Sequence, residues 1–82
     1  MQDGSVVTRR GGSMCELGTI DGELSVLLGD RELRMPGRLE PAMRLLAGGG
    51  SVVVSNLPGL DQAGRLVLVR RLISEGLLEV IR

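Results

Sequence analysis

From Met14 onward, apolar and polar residues alternate in three short runs separated by Asp21-Gly22 and Gly29-Asp30. A period of two marks a strand with one buried face, and these dipeptides tolerate the backbone of two-residue hairpin loops. The first loop sets Ile20 against Glu23, Leu17 against Val26 and Cys15 against Leu28. The second independently sets Leu28 against Arg31, Val26 against Leu33 and Leu24 against Met35. Both demand the same apolar face, carrying Cys15, Leu17, Leu24, Val26, Leu28, Leu33 and Met35, with Ser25, Leu27, Glu32 and Arg34 opposite. A one-residue slip would invert every side chain, so the two turns together predict a three-stranded antiparallel meander.

Beyond Pro36-Gly37 the period changes. Leu39 to Ala47 predicts a short helix, with Pro41 tolerated in its first turn and Gly48 suited to a left-handed residue after its last. Val52 to Val54 is a β-branched run too short for a helix and predicts a small strand, and Ser55 to Gly59 a tight turn or a single helical turn. Asp61 is a good N-cap for a longer helix from about Gln62 to Glu75, closed by Gly76, and Leu77 to Ile81 leave room for a terminal strand. On the helical wheel Leu66, Leu68, Val69, Leu72 and Ile73 share one side, while Gly64, Arg70, Arg71, Ser74 and Glu75 share the other. Helix, tight turn, longer helix and returning strand is the order of a winged helix-turn-helix. The expected fold class is α+β, a winged helix-turn-helix preceded by the meander. Residues 1–13, rich in Gly, Ser and Arg, are expected to form a flexible lead-in to one winged-helix-like domain spanning 14–82.

Composition narrows the chemistry. Of the 82 residues 43% are apolar and 24% charged, the balance of a folded domain, yet there is no Trp, Tyr or Phe. His is absent, which excludes from this chain a Ser-His-Asp triad, a Cys-His pair and every His-bearing metal site. All ten basic residues are Arg, so neither a P-loop lysine nor a Schiff-base amine is present. No aromatic ring is available for single-stranded bases to stack on. No catalytic residue, cofactor or metal ligand is therefore assigned. Ten acidic residues balance the ten Arg, whereas nucleic-acid-binding domains usually carry a basic excess. The first ten residues lack the apolar run of a secretory signal, and the single Cys15 agrees with a reducing compartment, so the cytoplasm is expected and a membrane is not.

Three segments carry a resemblance. Arg34 to Leu46, then Val54 to Asp61 with Asn56-Leu57-Pro58-Gly59-Leu60-Asp61 at its centre, then Gly64 to Leu78 with Leu68-Val69-Arg70-Arg71-Leu72, resemble the C-terminal winged-helix segment of bacterial Jumonji-C (cupin-type) proteins, relatives of the ribosomal-protein oxygenases. The similarity runs from about Met14 to Arg82. In that family the activity belongs to a separate double-stranded β-helix domain that holds iron through a His-x-Asp pair and a distant His and uses 2-oxoglutarate. None of those residues has a counterpart here. The resemblance implies a non-catalytic accessory module that packs on a Jumonji-C oxygenase domain or on a second copy of itself, with any parent oxygenase domain outside this chain.

The candidate nucleic-acid or partner contacts are Arg65, Val67, Arg70, Arg71 and Ser74 on the long helix, and Leu27, apolar on the polar side of the meander, is the candidate docking residue. The competing reading of the arginines is a solvated helix face in which Arg71 pairs with Glu75, and Arg65 falls beside Leu72, nearer the apolar side. Gly48-Gly49-Gly50-Ser51 follows a helix and precedes a strand, the reverse of the order a phosphate cradle needs. Cys15 reads as an inert thiol facing the apolar side, and Met35 and Met43 as core filler. Two alternatives stand beside the interaction module: a DNA-binding winged helix of the transcription-regulator kind that uses Arg70 and Arg71, and a peptide-recognition domain that captures a strand on an exposed sheet edge.

Overall fold

The structure, a computed structural model, describes residues 2–12 and 14–81; Met1, Ser13 and Arg82, which the expected lead-in and domain include, lie outside the described residues. The fold is α+β: the described residues form six strands, two α-helices and two three-stranded antiparallel sheets. In order the elements are β1 (Val6–Arg9), β2 (Glu16–Ile20), β3 (Glu23–Leu28), β4 (Arg31–Pro36), α1 (Glu40–Ala47), β5 (Ser51–Val53), α2 (Gln62–Ser74) and β6 (Leu78–Ile81).

One sheet, in the order β2-β3-β4, is the expected meander. Its pairs Ile20 with Glu23, Leu17 with Val26, Leu28 with Arg31, Val26 with Leu33 and Leu24 with Met35 are those the two loops require. Asp21 and Gly22 both adopt positive φ, as an Asp-Gly loop does, and in the second loop Gly29 alone does. Leu24 and Val26 are fully buried, and Cys15, Leu17, Leu28, Leu33 and Met35 pack against the core beside them.

The second sheet overturns the expected flexible lead-in. Its order is β5-β1-β6, so a strand from the N-terminal segment is central, antiparallel to both neighbours, with Val7 opposite Val52 on one side and Val80 on the other. Without β1 the short β5 and β6 would each lack a partner, and the Val6-Val7 pair supplies what their unpaired backbone needs. Val7 has no exposed surface. Further bonds fasten the same segment: Val54 donates to the Ser5 carbonyl at 2.9 Å, Ser55 to the Asp3 carbonyl at 2.8 Å and Arg10 to the Leu77 carbonyl at 2.8 Å. The Arg9 guanidinium donates to the Ala47 carbonyl at 2.8 Å, a cation at the C-terminal end of α1 where the helix dipole favours one.

The chain enters α1 through a 3₁₀ turn, Gly37–Leu39, which takes the place of a side-chain cap. Ala42, Met43 and Leu46 bury one face. Gly48 is not the expected left-handed residue: its φ is −70°, and the positive values fall on Gly49 (83°) and Gly50 (80°). The helix ends on an ordinary Gly48 to Arg44 backbone bond at 3.0 Å, and the reversal follows in the next two glycines. Val54 leaves the expected strand to open a 3₁₀ turn, Val54–Asn56. Asp61 caps α2 as expected, its Oδ1 accepting from the Gly64 N–H at 2.7 Å. At the other end Gly76, φ 85°, donates to the Ile73 carbonyl at 3.0 Å and Leu77 donates to Leu72 at 2.9 Å. That pair of bonds closes the helix and aims the chain into β6. Val69 and Leu72 lie at the centre of a single core shared by both sheets and both helices.

Candidate functional site

The helix α2 lies alongside β4, the outer strand of the meander, and the two do not close on each other. Between them runs a groove of about 470 Å³. Gly64, Val67, Leu68 and Arg71 recur at three- and four-residue steps and so line one side of α2. The opposite wall is β4 from Glu32 to Pro36, and Arg38, Leu39 and Leu60 complete the end nearer the N-terminus of α2. Gly64 keeps that end low: a β-carbon there would come within 3.0 Å of Asp61 Oδ1 and 3.4 Å of Leu60 Cδ2.

Glu75 ties the two walls at the far end. Its Oε1 accepts from Arg31 Nη1 on β4 at 2.6 Å, and its Oε2 from Arg71 Nε on α2 at 3.1 Å. The Arg31 hydrogen bond, with the charges of Arg31 and Arg71, holds the Glu75 carboxyl below the ordinary carboxylate range, against the opposing effect of its partial burial. On the strand wall Ser25 donates its hydroxyl to Glu32 Oε2 at 2.5 Å, and Arg34 Nε lies 3.2 Å from the same oxygen. These two donors, Ser25 first, lower the Glu32 pKa. Of the three arginines that line the groove, Arg34 pairs with Glu32 and Arg71 with Glu75. Arg38 is exposed and makes no ion pair among the described residues.

The candidate residues divide. Val67 is 67% exposed and stands in the groove wall. Arg71 shares that wall but is paired with Glu75, as the i,i+4 spacing suggests. Arg70 and Ser74 are exposed on α2 outside the groove lining. Arg65 is withdrawn as a ligand contact: Nε and Nη2 each reach Asp3 at 2.9 Å and Nη1 donates to the Leu60 carbonyl at 2.9 Å. A guanidinium with three bonds inside the fold fastens the chain rather than meeting a partner. Leu27 is 41% exposed, but it faces the other side of the meander from Leu33 and Met35 and does not line the groove, so Leu27 and Val67 do not make one surface.

Sequence reasoning missed Arg38, Arg31 and the β4 wall. Arg38 adjoins the Pro36-Gly37 break and carried no periodic signal; its role depends on where the 3₁₀ turn places it. Cys15 is half-buried, and burial raises its thiol pKa against the weaker pull of Arg9. Among the described residues no cluster of three or more His, Cys, Asp or Glu is placed to hold a metal, and no helix is long and apolar enough to cross a membrane. What the groove offers is contact: an apolar floor, a strand edge and the exposed Arg38. No family model and no curated protein matches the chain.

Proposed function

We propose that the chain is a non-catalytic interaction module, a winged helix-turn-helix of the kind found at the C-terminus of bacterial Jumonji-C (cupin-type) proteins, which docks on another domain or subunit through the groove between β4 and α2. The order α1, turn, α2 and β6 supports the winged-helix reading, with β1 and β5 completing the small sheet beside the helices. The observation that carries docking is Val67, an aliphatic side chain two-thirds exposed on the wall of an apolar groove while its neighbour Leu68 is buried. The side-chain inventory supports an absence of chemistry, since neither imidazole nor lysine amine is available.

Two measurements test this. The chain incubated with Fe(II) and 2-oxoglutarate is expected to release no succinate; turnover would overturn the non-enzyme reading. In sedimentation equilibrium, alone and with a separately produced Jumonji-C oxygenase domain, association is expected and Val67→Arg is expected to weaken it. Association that ignores Val67→Arg removes the groove as the docking surface.

The DNA-binding alternative rests on Arg70 and Ser74, which are exposed, and on Arg71, whose charge is shared with Glu75. Contacts to so few phosphates give weak, strongly salt-dependent binding. Titration with a mixed-sequence duplex at low and moderate salt decides it, and no shift at either salt dismisses it.

A further inference from the structure

We infer that the groove takes an extended peptide segment of a partner protein, alternating acidic and apolar residues, which adds to the free edge of β4 as a fourth strand of the meander. The inference deepens the docking reading and rests on it, and it starts from where the β4 backbone points. The two-residue loop Gly29-Asp30 makes Leu28 and Arg31 the closing hydrogen-bonded pair. Along β4 the residues facing β3 with both backbone groups are therefore Arg31, Leu33 and Met35. Glu32 and Arg34 direct their N–H and C=O groups the other way, toward the groove, as does the carbonyl of Pro36. Strand β4 pairs only with β3, and neither Glu32 nor Arg34 makes another backbone–backbone bond among the described residues.

An unpaired edge is a template for another strand, and natural proteins commonly blunt theirs. Here the edge opens onto apolar surface. One side of an added strand would meet Leu33, Met35, Leu60, Val67 and Leu68, all of which line the groove. Its alternate residues would face the side of the sheet that carries Glu32 and Arg34, which pair with each other, while Arg38 at the end of the groove has no ion pair among the described residues. Backbone bonds give such a complex its affinity and the alternating side chains its selectivity. Arg38, the groove-lining arginine without an ion pair among the described residues, favours acidic residues in the added segment, and a groove of about 470 Å³ takes a short extended segment of the partner.

The probe is a terminally capped hexapeptide alternating glutamate and valine, titrated into the ¹⁵N-labelled chain. Saturable binding is expected, with shifts at Val67 and hydrogen-exchange protection of the Glu32 and Arg34 amides. Two further peptides carry backbone N-methyl groups, one on its valines and one on its glutamates. Because only alternate N–H groups of an added strand face β4, one methylated set is expected to weaken binding about tenfold or more while the other is tolerated. The exposed Arg38→Glu variant is expected to bind the parent peptide about fivefold more weakly with unchanged melting. Equal tolerance of both methylated peptides, with Val67 still shifted, overturns strand addition but leaves docking intact. Equal binding of a lysine-valine hexapeptide overturns the acidic selectivity. No binding at millimolar peptide overturns the peptide occupant, and groove shifts that follow protein concentration alone replace it with a second copy. Loss of every association at the groove, read by sedimentation, removes the docking reading itself.

Discussion

Arg65 holds Asp3 by both carboxylate oxygens, Nε to Oδ1 and Nη2 to Oδ2, each at 2.9 Å, and so joins the first residues of the chain to the first turns of α2. The hydrogen bonds and charge of Arg65 lower the Asp3 pKa, and Asp3 raises that of Arg65. A carboxyl whose pKa is lower folded than unfolded stabilises the fold fully above its unfolded value, and that contribution disappears as pH falls through the folded one. Glu32 and Glu75 are shifted in the same direction. The melting temperature is therefore expected to hold near neutrality and to fall below about pH 4. Asp3→Asn is expected to melt lower than the parent at pH 7, with the gap closing toward pH 2. A gap that persists in acid would mean the pair contributes little through charge.

The place of β1 gives a second expectation. Val7 is buried between β5 and β6, so Val7→Ala removes two buried carbons with no exposed surface to absorb the loss. The expected cost is about 2 kcal/mol, read from chemical denaturation. Removing residues 1–9 deletes the central strand, and that variant is expected to lose its cooperative unfolding transition altogether. A truncated chain that still unfolds cooperatively at a similar midpoint would mean that β1 is an accessory to a core standing without it.

The meander was legible because two loops constrained one face twice, and a conflict between Leu17, Val26 and Leu33 would have exposed any slip. The amphipathic side of α2 was legible from its helical period, with Leu66, Leu68, Val69, Leu72 and Ile73 on one side and Arg65 near the apolar edge. β1 was not. Val6-Val7 is a short apolar signal among Gly, Ser and Arg, and its partners lie more than forty residues away, at Val52 and Val80, so nothing local marks it as a strand. The groove was hidden for a related reason. Leu33, Met35 and Val67 each appear in the sequence as members of an element's face, and only the packing of β4 beside α2 leaves a gap between those faces. Leu27 drew attention as a misfit of pattern, yet a misfit on one strand does not say which other element lies near it.

Gly37 and Gly22 meet closely enough to test that packing. A β-carbon added at Gly37 would stand 2.7 Å from the carbonyl oxygen of Gly22, a backbone atom at the tip of the first hairpin. Gly37→Ala must push that hairpin away from the 3₁₀ turn, at an expected cost of about 1–3 kcal/mol. Gly18 on β2 has open space around it and no positive φ, so Gly18→Ala is expected to be neutral or to stabilise by about 0.5 kcal/mol. Equal effects of the two substitutions on the denaturation midpoint would contradict the close approach.

The cap on α2 is a separate and smaller matter. Asp61 accepts from the Gly64 amide, and Asp61→Ala leaves that N–H to water at an expected cost of about 1 kcal/mol. Asp61→Asn or Asp61→Ser, which keep an acceptor oxygen, are expected to recover most of it. Thermal melts of the four proteins check the order.

Adjacent residues on α2 separate docking from folding. Val67 is 67% exposed and Leu68 is 7% exposed, so the same substitution has opposite meanings one residue apart. Val67→Arg places a cation at a solvent-facing wall, and its effect on stability is expected to stay within about 0.5 kcal/mol. Leu68→Arg forces an unpaired charge into the core beside Val69 and Leu72, and that protein is expected to be unfolded or molten. If Val67 serves a partner, Val67→Arg should lose association while its circular dichroism and melting match the parent. A Val67→Arg protein that unfolds like Leu68→Arg would mean that the residue belongs to the core, and the groove would then be a packing defect with no partner to explain.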